Sequence, residues 1–286
     1  MASSVKWRTL SSSPPMRESP IILLGLGFTA TRLARRLLAD GRSVFAATRN
    51  AERLSALFDQ GLLISGFNAS AFPAGAVVAH TIPPVDEPAQ TLLHNFLLAL
   101  APRRVVYVSA TSVYGDLSVV DAESPAIPAG VPAVRRFQEE QWLAGGPWES
   151  LILRAAAIYG PGRGAHRRLA SRQEPALNQR RGPSALVSRI HVEDLSRLVA
   201  LGLDSALCGA FPVADQEPCS TEALLHWCVQ YLELDPADVD ISGTISTGRR
   251  VDGSRIINKL GAVLTYPDYR SGVAQCIQEE RWPGRS

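Results

Sequence analysis

Short apolar runs alternate with segments of helical periodicity through the first half of the chain. An apolar run opens at Ile21, and a glycine turn and the helical segment TATRLARRLLADG follow it. The next run, SVFAATR, begins within about 30 residues of the first, which is the length of a βαβ unit. The alternation continues through RNAERLSALFDQG, LLISGF, AVVAHTIPP, AQTLLHNFLLALAPRR, RVVYVSATSVYG, AVRRFQEEQWLAG and SLILRAAAIYGPGR. This order predicts an α/β fold with a doubly wound parallel sheet, the Rossmann arrangement.

The pattern changes after residue 165. A long, polar and arginine-rich stretch leads into IHVEDLSRLVALGL, where helical spacing resumes. We therefore predict a Rossmann domain at 19–165 and a smaller C-terminal lobe at 166–286, interleaved with the first. Residues 1–18 are rich in serine and predict a disordered extension. An organellar targeting segment and a start at Met16 are the alternatives for this extension.

The charge and composition of the chain limit the kinds of binding partner to be expected. The formal net charge of +2 is too small to favour nucleic acid or an anionic membrane. No apolar run of about 18 residues occurs, so no membrane-spanning helix is expected. The four cysteines form no Cys-x-x-Cys pair, which indicates a reducing compartment, the cytoplasm, and no zinc or other metal site.

The glycine turn after the first strand carries the nucleotide signal. Gly25-Leu26-Gly27-Phe28-Thr29-Ala30 matches G-x-G-x-x-G/A between a strand and a helix. In such a turn the first glycine permits the tight bend, and the second lets a pyrophosphate approach the amides of the helix N-terminus. We predict cofactor contacts from residues 25–29. The alternative is a tight βα turn with no ligand.

The end of the second strand bears on the choice of cofactor. NAD-binding turns place an acidic residue about 20 residues after the glycines to bind the ribose hydroxyl. Here the strand ends in Ala-Ala-Thr48-Arg49, with no acid available. Arg49 can pair with a 2′-phosphate and Thr48 can donate to it, so the sequence predicts NADP rather than NAD. The alternative is that Arg49 is a solvated loop charge.

Three further motifs follow the glycine turn in order: VSATSVYGD, LRAAAIYGPGR and SRIHVEDLSRL. Together they make the chain resemble the extended or atypical short-chain dehydrogenase/reductases, the NAD-dependent epimerase/dehydratase group. The resemblance implies a Rossmann domain that binds NAD(P) and a C-terminal lobe that holds a small-molecule substrate, often a nucleotide-linked sugar. It leaves open an oligomeric assembly.

The chain departs from this group at the catalytic positions. Members of the group carry a Ser or Thr after the fifth strand and a Tyr-x-x-x-Lys helix, in which the tyrosine is the acid/base. The corresponding residues here are Ala110, Pro132 and Arg136. No shift of alignment restores the lysine, because Lys6 and Lys259 are the only lysines of the chain.

Substitutes for the missing groups lie nearby. Tyr114 of VYG is a candidate acid/base, with packing as the alternative, and Ser109 or Thr111 could donate a hydrogen bond to a substrate carbonyl. Ser109 and Arg136 are also candidate cofactor contacts, Arg136 at the nicotinamide ribose. The expected function is an NADP(H)-binding oxidoreductase or epimerase acting on a carbonyl or a nucleotide-linked sugar. The alternative is a non-catalytic dinucleotide-binding sensor or scaffold.

Other polar residues have mainly structural interpretations. Asp194 is expected to cap the helix that follows it, and His191 to pack at a strand end. His80 and His94 have no carboxylate partner that the sequence shows, so we expect core or surface positions. The arginines between 163 and 189 suit an anionic substrate or, equally, a solvated loop. They are Arg163, Arg167, Arg168, Arg172, Arg180, Arg181 and Arg189.

Overall fold

The computed structural model describes residues 16–48, 61–167, 169, 186–235 and 248–280. A seven-stranded sheet forms its centre, in the order β11-β7-β5-β4-β1-β2-β3, and every adjacent pair in it is parallel. The prediction of a doubly wound parallel sheet is confirmed. The strands of this sheet are β1 (Ile21–Leu24), β2 (Val44–Ala47), β3 (Leu63–Ser65), β4 (Val77–His80), β5 (Arg104–Ala110), β7 (Glu149–Ala155) and β11 (Gly209–Val213).

Short strands outside this sheet pair among themselves. Two of these pairs are parallel and one, between β12 and β9, is antiparallel. The pairs are β8 (Ala157–Tyr159) with β10 (Arg189–His191), β9 (Leu186–Val187) with β12 (Cys219–Ser220), and β6 (Val119–Val120) with β13 (Arg250–Val251). The β6–β13 pair joins the loop after β5 to the C-terminal part of the chain.

Helices cover both faces of the sheet. Those of the described residues are α1 (Phe28–Ala39), α2 (Glu87–Leu100), α3 (Val131–Ala144), α4 (Val192–Asp204), α5 (Thr221–Tyr231), α6 (Ser254–Lys259) and α7 (Tyr269–Glu279). One face packs against α1, α4 and α6, and the other against α2 and α3. The smaller cluster formed by α5 and α7 lies beyond the sheet.

The alternation of side chains in β1 builds both layers. Ile21 and Leu23 pack in the α1 and α4 layer, while Ile22 and Leu24 pack in the α2 and α3 layer. A strand buried on both faces reads as a continuous apolar run, as this one does. The register pairs Leu24 with Ala47 of β2 and with His80 of β4, so these strands end at one edge.

The C-terminal half contributes to the central body. Strand β11 completes the sheet beside β7, and α4 packs against α1. This arrangement accords with interleaved parts, although the boundary at 165 stays a prediction. The helix predicted at RNAERLSALFDQG lies outside the described residues, as do residues 1–15 of the extension; Met16–Glu18 form a 3₁₀ turn. Within the described residues, none of the helices has the length and apolar character of a membrane span.

Candidate functional site: a cleft at the carboxyl edge of the sheet

The glycine turn has the backbone that its sequence predicts. Gly25 has φ +79°, and a Cβ there would lie 2.9 Å from Ile82 Cγ1, so any side chain would be strained. Gly27 is the N-cap of α1 with an extended backbone, and no atom lies within 4 Å of where its Cβ would be. The space above Gly27 is therefore open to a ligand at the N-terminus of α1, whose first amides have no partner within the helix.

A cleft of about 400 Å³ opens beside this turn. Its lining comes from the segments that follow β1 and β4 and from the carboxyl ends of β5 and β7, which is where open α/β sheets bind ligands. Its size lies within the range of small-molecule sites. The lining residues are Gly27, Phe28, Thr29, Thr81, Pro83, Val108, Ser109, Ala110, Arg136, Ala155, Ala156, Ala157, Ile158 and Arg163.

The cleft brings together five of the predicted contact residues, from three separate segments, and is also lined by Ala110 and by Arg163 of the arginine-rich segment. Gly27, Phe28 and Thr29 come from the turn, Ser109 from the end of β5, and Arg136 from α3. The other predicted turn residues, Gly25 and Leu26, are not among its lining. Their placement as binding contacts stays a prediction.

Ser109 belongs to a buried polar network. Its hydroxyl donates to Glu140 Oε1, and Arg154 donates to Glu140 Oε2 from Nε at 3.0 Å and from Nη2 at 2.7 Å. Burial alone would lower the pKa of Arg154, because it disfavours the charged guanidinium. The bonds to Glu140 together have the larger effect, so the pKa of Arg154 is raised. Because the Ser109 hydroxyl donates to Glu140, its hydrogen is taken and its free lone pairs are acceptors. A donor role for Ser109 toward a substrate carbonyl would require this bond to Glu140 to break, and it stays a prediction.

Tyr114 and Thr111 lie outside the cleft lining. Tyr114 is 1% exposed, packs with Val113 and Val120, and has the Arg154 guanidinium 5.0 Å from its ring centroid. Burial raises the pKa of Tyr114, which disfavours the phenolate. Thr111 opens the 3₁₀ turn after β5, and its carbonyl accepts from Arg249. The geometry favours the packing interpretation of Tyr114; a catalytic role for either residue stays a prediction.

Helix α3 carries the two substituted positions of the Tyr-x-x-x-Lys motif. Pro132 is exposed in its first turn, where proline is tolerated, and Arg136 follows one turn later at the cleft. Arg136 also acts on Tyr107, a core residue of β5: burial raises the pKa of Tyr107, and Arg136 opposes that rise. Arg136 thus occupies a position from which it could contact a cofactor ribose.

The structure describes only one of the two residues from which the sequence predicts NADP. Thr48 follows β2, and its amide donates to Ser65 O at 3.2 Å. Arg49 lies outside the described residues. The preference for a 2′-phosphate stays a prediction.

The lining of the cleft offers no ordinary proton donor. Within the described part of the chain, its only ionisable side chains are Arg136 and Arg163. Arginine does not release its proton in proteins. Acid/base chemistry there would need a proton from water, from the substrate or from a residue outside this lining. The described residues also contain no cluster of His, Cys, Asp and Glu suited to a metal ion.

Glu139, next to Glu140 in α3, is a residue that the sequence reasoning missed. Its Oε2 lies 2.8 Å from His94 Nε2 and accepts from Gln90 Nε2 at 2.9 Å, while Oε1 lies 3.4 Å from His80 Nε2. The sequence does not reveal this partner, because Glu139 is 45 residues from His94 and still further from His80. His80 is buried in the core, which agrees with the expected core or surface position. Burial favours the neutral acid, but His80 and then His94 and Gln90 outweigh it and lower the pKa of Glu139 to about 2.

His191 is buried at the end of β10, as expected, but it also takes the capping role that was expected of Asp194. The cap of α4 is His191, whose Nδ1 accepts from the amide of Glu193 at 3.3 Å. Asp194 instead accepts from the amides of Thr265 and Tyr266, each at 2.8 Å, and so fixes a distant loop. The predicted cap at Asp194 is wrong, although its structural character is confirmed. Burial lowers the pKa of His191 to about 4, so it is neutral near pH 7.

The comparisons with known proteins agree with this architecture. No protein-family model matches the chain. A relative, Protein YeeZ of Escherichia coli strain K12, is 27% identical over 271 residues, which is 87% of this chain and 96% of YeeZ. The fold and the cleft are thus those of a Rossmann-type protein. The similarity to YeeZ extends over nearly the whole length of YeeZ.

Two solved structures narrow the class. One, from Methylobacillus flagellatus, provisionally described as an NAD-dependent epimerase/dehydratase, is 26% identical, covers 92% of this chain and 99% of its own, and gives a TM-score of 0.73. The other is the UDP-glucose 4-epimerase of Thermus thermophilus in complex with NAD, 16% identical, covering 92% and 99%, with a TM-score of 0.74. The latter shows a shared fold. The resemblance to the NAD-dependent epimerase/dehydratase group is confirmed.

Proposed function

We propose that the protein binds a nicotinamide dinucleotide in the cleft above Gly27 and acts as an atypical oxidoreductase or epimerase on a carbonyl or nucleotide-linked sugar. One observation carries the proposal: a single cleft unites the turn at Gly27, the end of β5 at Ser109 and Arg136 of α3. The open space at Gly27 fits the close approach of a pyrophosphate to backbone.

The similar proteins support the choice of ligand class. The structure from Thermus thermophilus is that of a UDP-glucose 4-epimerase with NAD, and its fold is shared over most of this chain. A nucleotide-linked sugar is accordingly the substrate class that we propose. For the cofactor we propose NADP over NAD, on the sequence argument that Thr48 and Arg49 stand where an NAD site has an acid.

The chain's own residues have definable tasks in this scheme. A bound nicotinamide would supply or take up hydride. Ser109, with its hydrogen committed to Glu140, would accept a hydrogen bond from a substrate or ribose hydroxyl. Arg136, which also lines the cleft, would donate to an oxygen of the ribose or substrate.

Calorimetric titration with NADPH and NADH tests the cofactor proposal. We expect tighter binding of NADPH, with the preference reduced by Arg49→Ala because the guanidinium no longer pairs with the 2′-phosphate. Arg17→Ala, which removes an arginine outside the cleft, is the matched control. Equal affinities of the wild type for the two cofactors would contradict the NADP preference while leaving dinucleotide binding intact.

A second candidate function is a non-catalytic sensor or scaffold that binds the dinucleotide. The lack of a proton donor in the described lining of the cleft favours it. Two assays separate the two functions: oxidation of NADPH with a panel of carbonyl compounds, and conversion of UDP-sugars to their epimers, which consumes no net cofactor. Turnover would exclude the sensor, and its loss in Ser109→Ala or Tyr114→Phe would identify the hydroxyl involved. Tight NADPH binding without turnover on the whole panel would count against the enzyme.

A further inference from the structure

The loop after β8 places an arginine, Arg163, in the lining of the cleft. Gly160 and Arg163 exchange backbone hydrogen bonds of 2.8 and 2.9 Å, which closes a tight turn. The guanidinium carbon of Arg163 lies 5.4 Å from the ring centroid of Phe28, the first residue of α1, and Arg163 lines the cleft. No carboxylate of the described residues forms an ion pair with Arg163. Its positive charge is available to a ligand at the N-terminus of α1.

A carboxylate from the far end of the chain fixes this loop. Glu280, directly after α7, accepts from the amide of Gly162 at 2.8 Å and from Arg167 Nη1 at 2.7 Å, and lies 3.0 Å from His166 Nε2. The Glu280 side chain is 9% exposed and that of His166 is fully buried. Three contacts from one short loop therefore converge on one shielded carboxylate.

The charge state of Glu280 is settled by its surroundings. Burial alone would favour the neutral acid, but Arg167, the Gly162 amide and His166 outweigh it and lower the pKa of Glu280 to about 2. Burial lowers the pKa of His166. Near pH 7 Glu280 is thus an ionised carboxylate that holds the loop by charge-assisted bonds, which are stronger than neutral ones.

We propose that Glu280 is a positioning residue that holds the 160–167 loop so that Arg163 contacts the pyrophosphate of the bound dinucleotide. This inference rests on the proposed function. The loop is anchored on both sides of Arg163, and this restricts the long Arg163 side chain before any ligand binds. Less rotamer freedom is then lost on binding. The Phe28 ring beneath the guanidinium orients it further toward the turn at Gly27.

Titration of the wild type and of Arg163→Met with NADH and NADPH tests the contact. Loss of one charge-assisted contact weakens binding about tenfold or more. The loss is the same for the two cofactors, because both contain the pyrophosphate, and the salt dependence of binding falls. Arg270→Met is the matched control, since it removes another arginine that lies over an aromatic ring, at 4.5 Å from Tyr269. Unchanged binding, or a loss confined to NADPH, overturns the pyrophosphate contact.

A double-mutant cycle tests the positioning role. Glu280→Gln should weaken dinucleotide binding about three- to tenfold in the wild-type background and leave the affinity of the Arg163→Met variant unchanged. A merely structural role of Glu280 would weaken both backgrounds equally, and that result overturns the proposal. Thermal unfolding of each variant shows whether it is folded. If the wild type binds neither cofactor, the proposed function itself fails; if it binds and only the cycle is additive, the inference alone fails.

Discussion

The hydroxyl of Ser109 donates a hydrogen bond to Glu140, the carboxylate that Arg154 holds with three bonds of its own. All three residues are at least 90% buried, and Ser109 alone among them lines the cleft. The network therefore fixes the one hydroxyl that the end of β5 presents to a ligand.

Replacing Ser109 with alanine should cost stability as well as a ligand contact. The lost bond to a charged group corresponds to about 1–3 kcal/mol of unfolding free energy. Urea unfolding measures this cost. Ser112→Ala, at an exposed position of the same loop, is the control and should change stability by less than about 0.5 kcal/mol. Equal effects of the two substitutions would show that the Ser109 bond contributes nothing.

Removing Arg154 alone should be more damaging than removing both members of its ion pair. Arg154→Met leaves the carboxylate of Glu140, which is 2% exposed, without its cation, and such a loss costs about 3–5 kcal/mol. Adding Glu140→Leu should recover part of it. The control is Arg255→Met, which removes an exposed ion pair with Glu123 and should cost about 1 kcal/mol or less. A double variant less stable than Arg154→Met would contradict this account.

The contacts of Glu139 with His80, His94 and Gln90 should stabilise the fold at pH values above the pKa of Glu139. Its pKa of about 2 lies below the ordinary 4.5, so the stabilisation is complete above about pH 4.5 and disappears as pH falls toward 2. Its size is on the order of 3 kcal/mol. Urea unfolding between pH 6 and pH 2 should show a smaller loss for Glu139→Gln than for the wild type. The exposed Glu87→Gln should follow the wild type; identical curves for all three proteins would exclude the effect.

Asp215 should have the opposite effect on stability. It is 3% exposed, and burial raises its pKa to about 8 from 3.8, with Arg189 opposing the rise. The folded state then holds a proton that the unfolded state releases, so stability falls as pH rises from about 4 to about 8. Asp215→Asn removes this dependence and should raise the melting temperature more at pH 8 than at pH 5. Exposed Asp116→Asn is the control; an Asp215→Asn shift that is independent of pH would contradict the burial argument.

Much of the fold can be predicted from the local sequence pattern of apolar residues and glycines. The run Ile21–Leu24 is apolar throughout because both faces of β1 are covered, and Gly25 is a glycine because its φ is positive. The roles of Glu139 and Glu140 could not be predicted in this way. These neighbours in α3 turn to different partners, Glu139 to His80 on β4 and Glu140 to Ser109 on β5. The two glutamates have different partners only because α3 packs across both β4 and β5, which the sequence alone does not show.

The most direct test of the central claim is a dinucleotide titration of Gly27→Ala. The Gly27 backbone has φ −79° and ψ −164°, which any residue adopts, and the added Cβ meets no atom within 4 Å. The variant should therefore remain folded, with a cap penalty on the order of 1 kcal/mol. Gly145→Ala, at the C-cap of α3, is the control. The account predicts that Gly27→Ala weakens NADPH and NADH binding at least about tenfold while Gly145→Ala binds as the wild type does, because the methyl group fills the space of the pyrophosphate. Full-affinity binding by folded Gly27→Ala would contradict a dinucleotide site above the glycine turn.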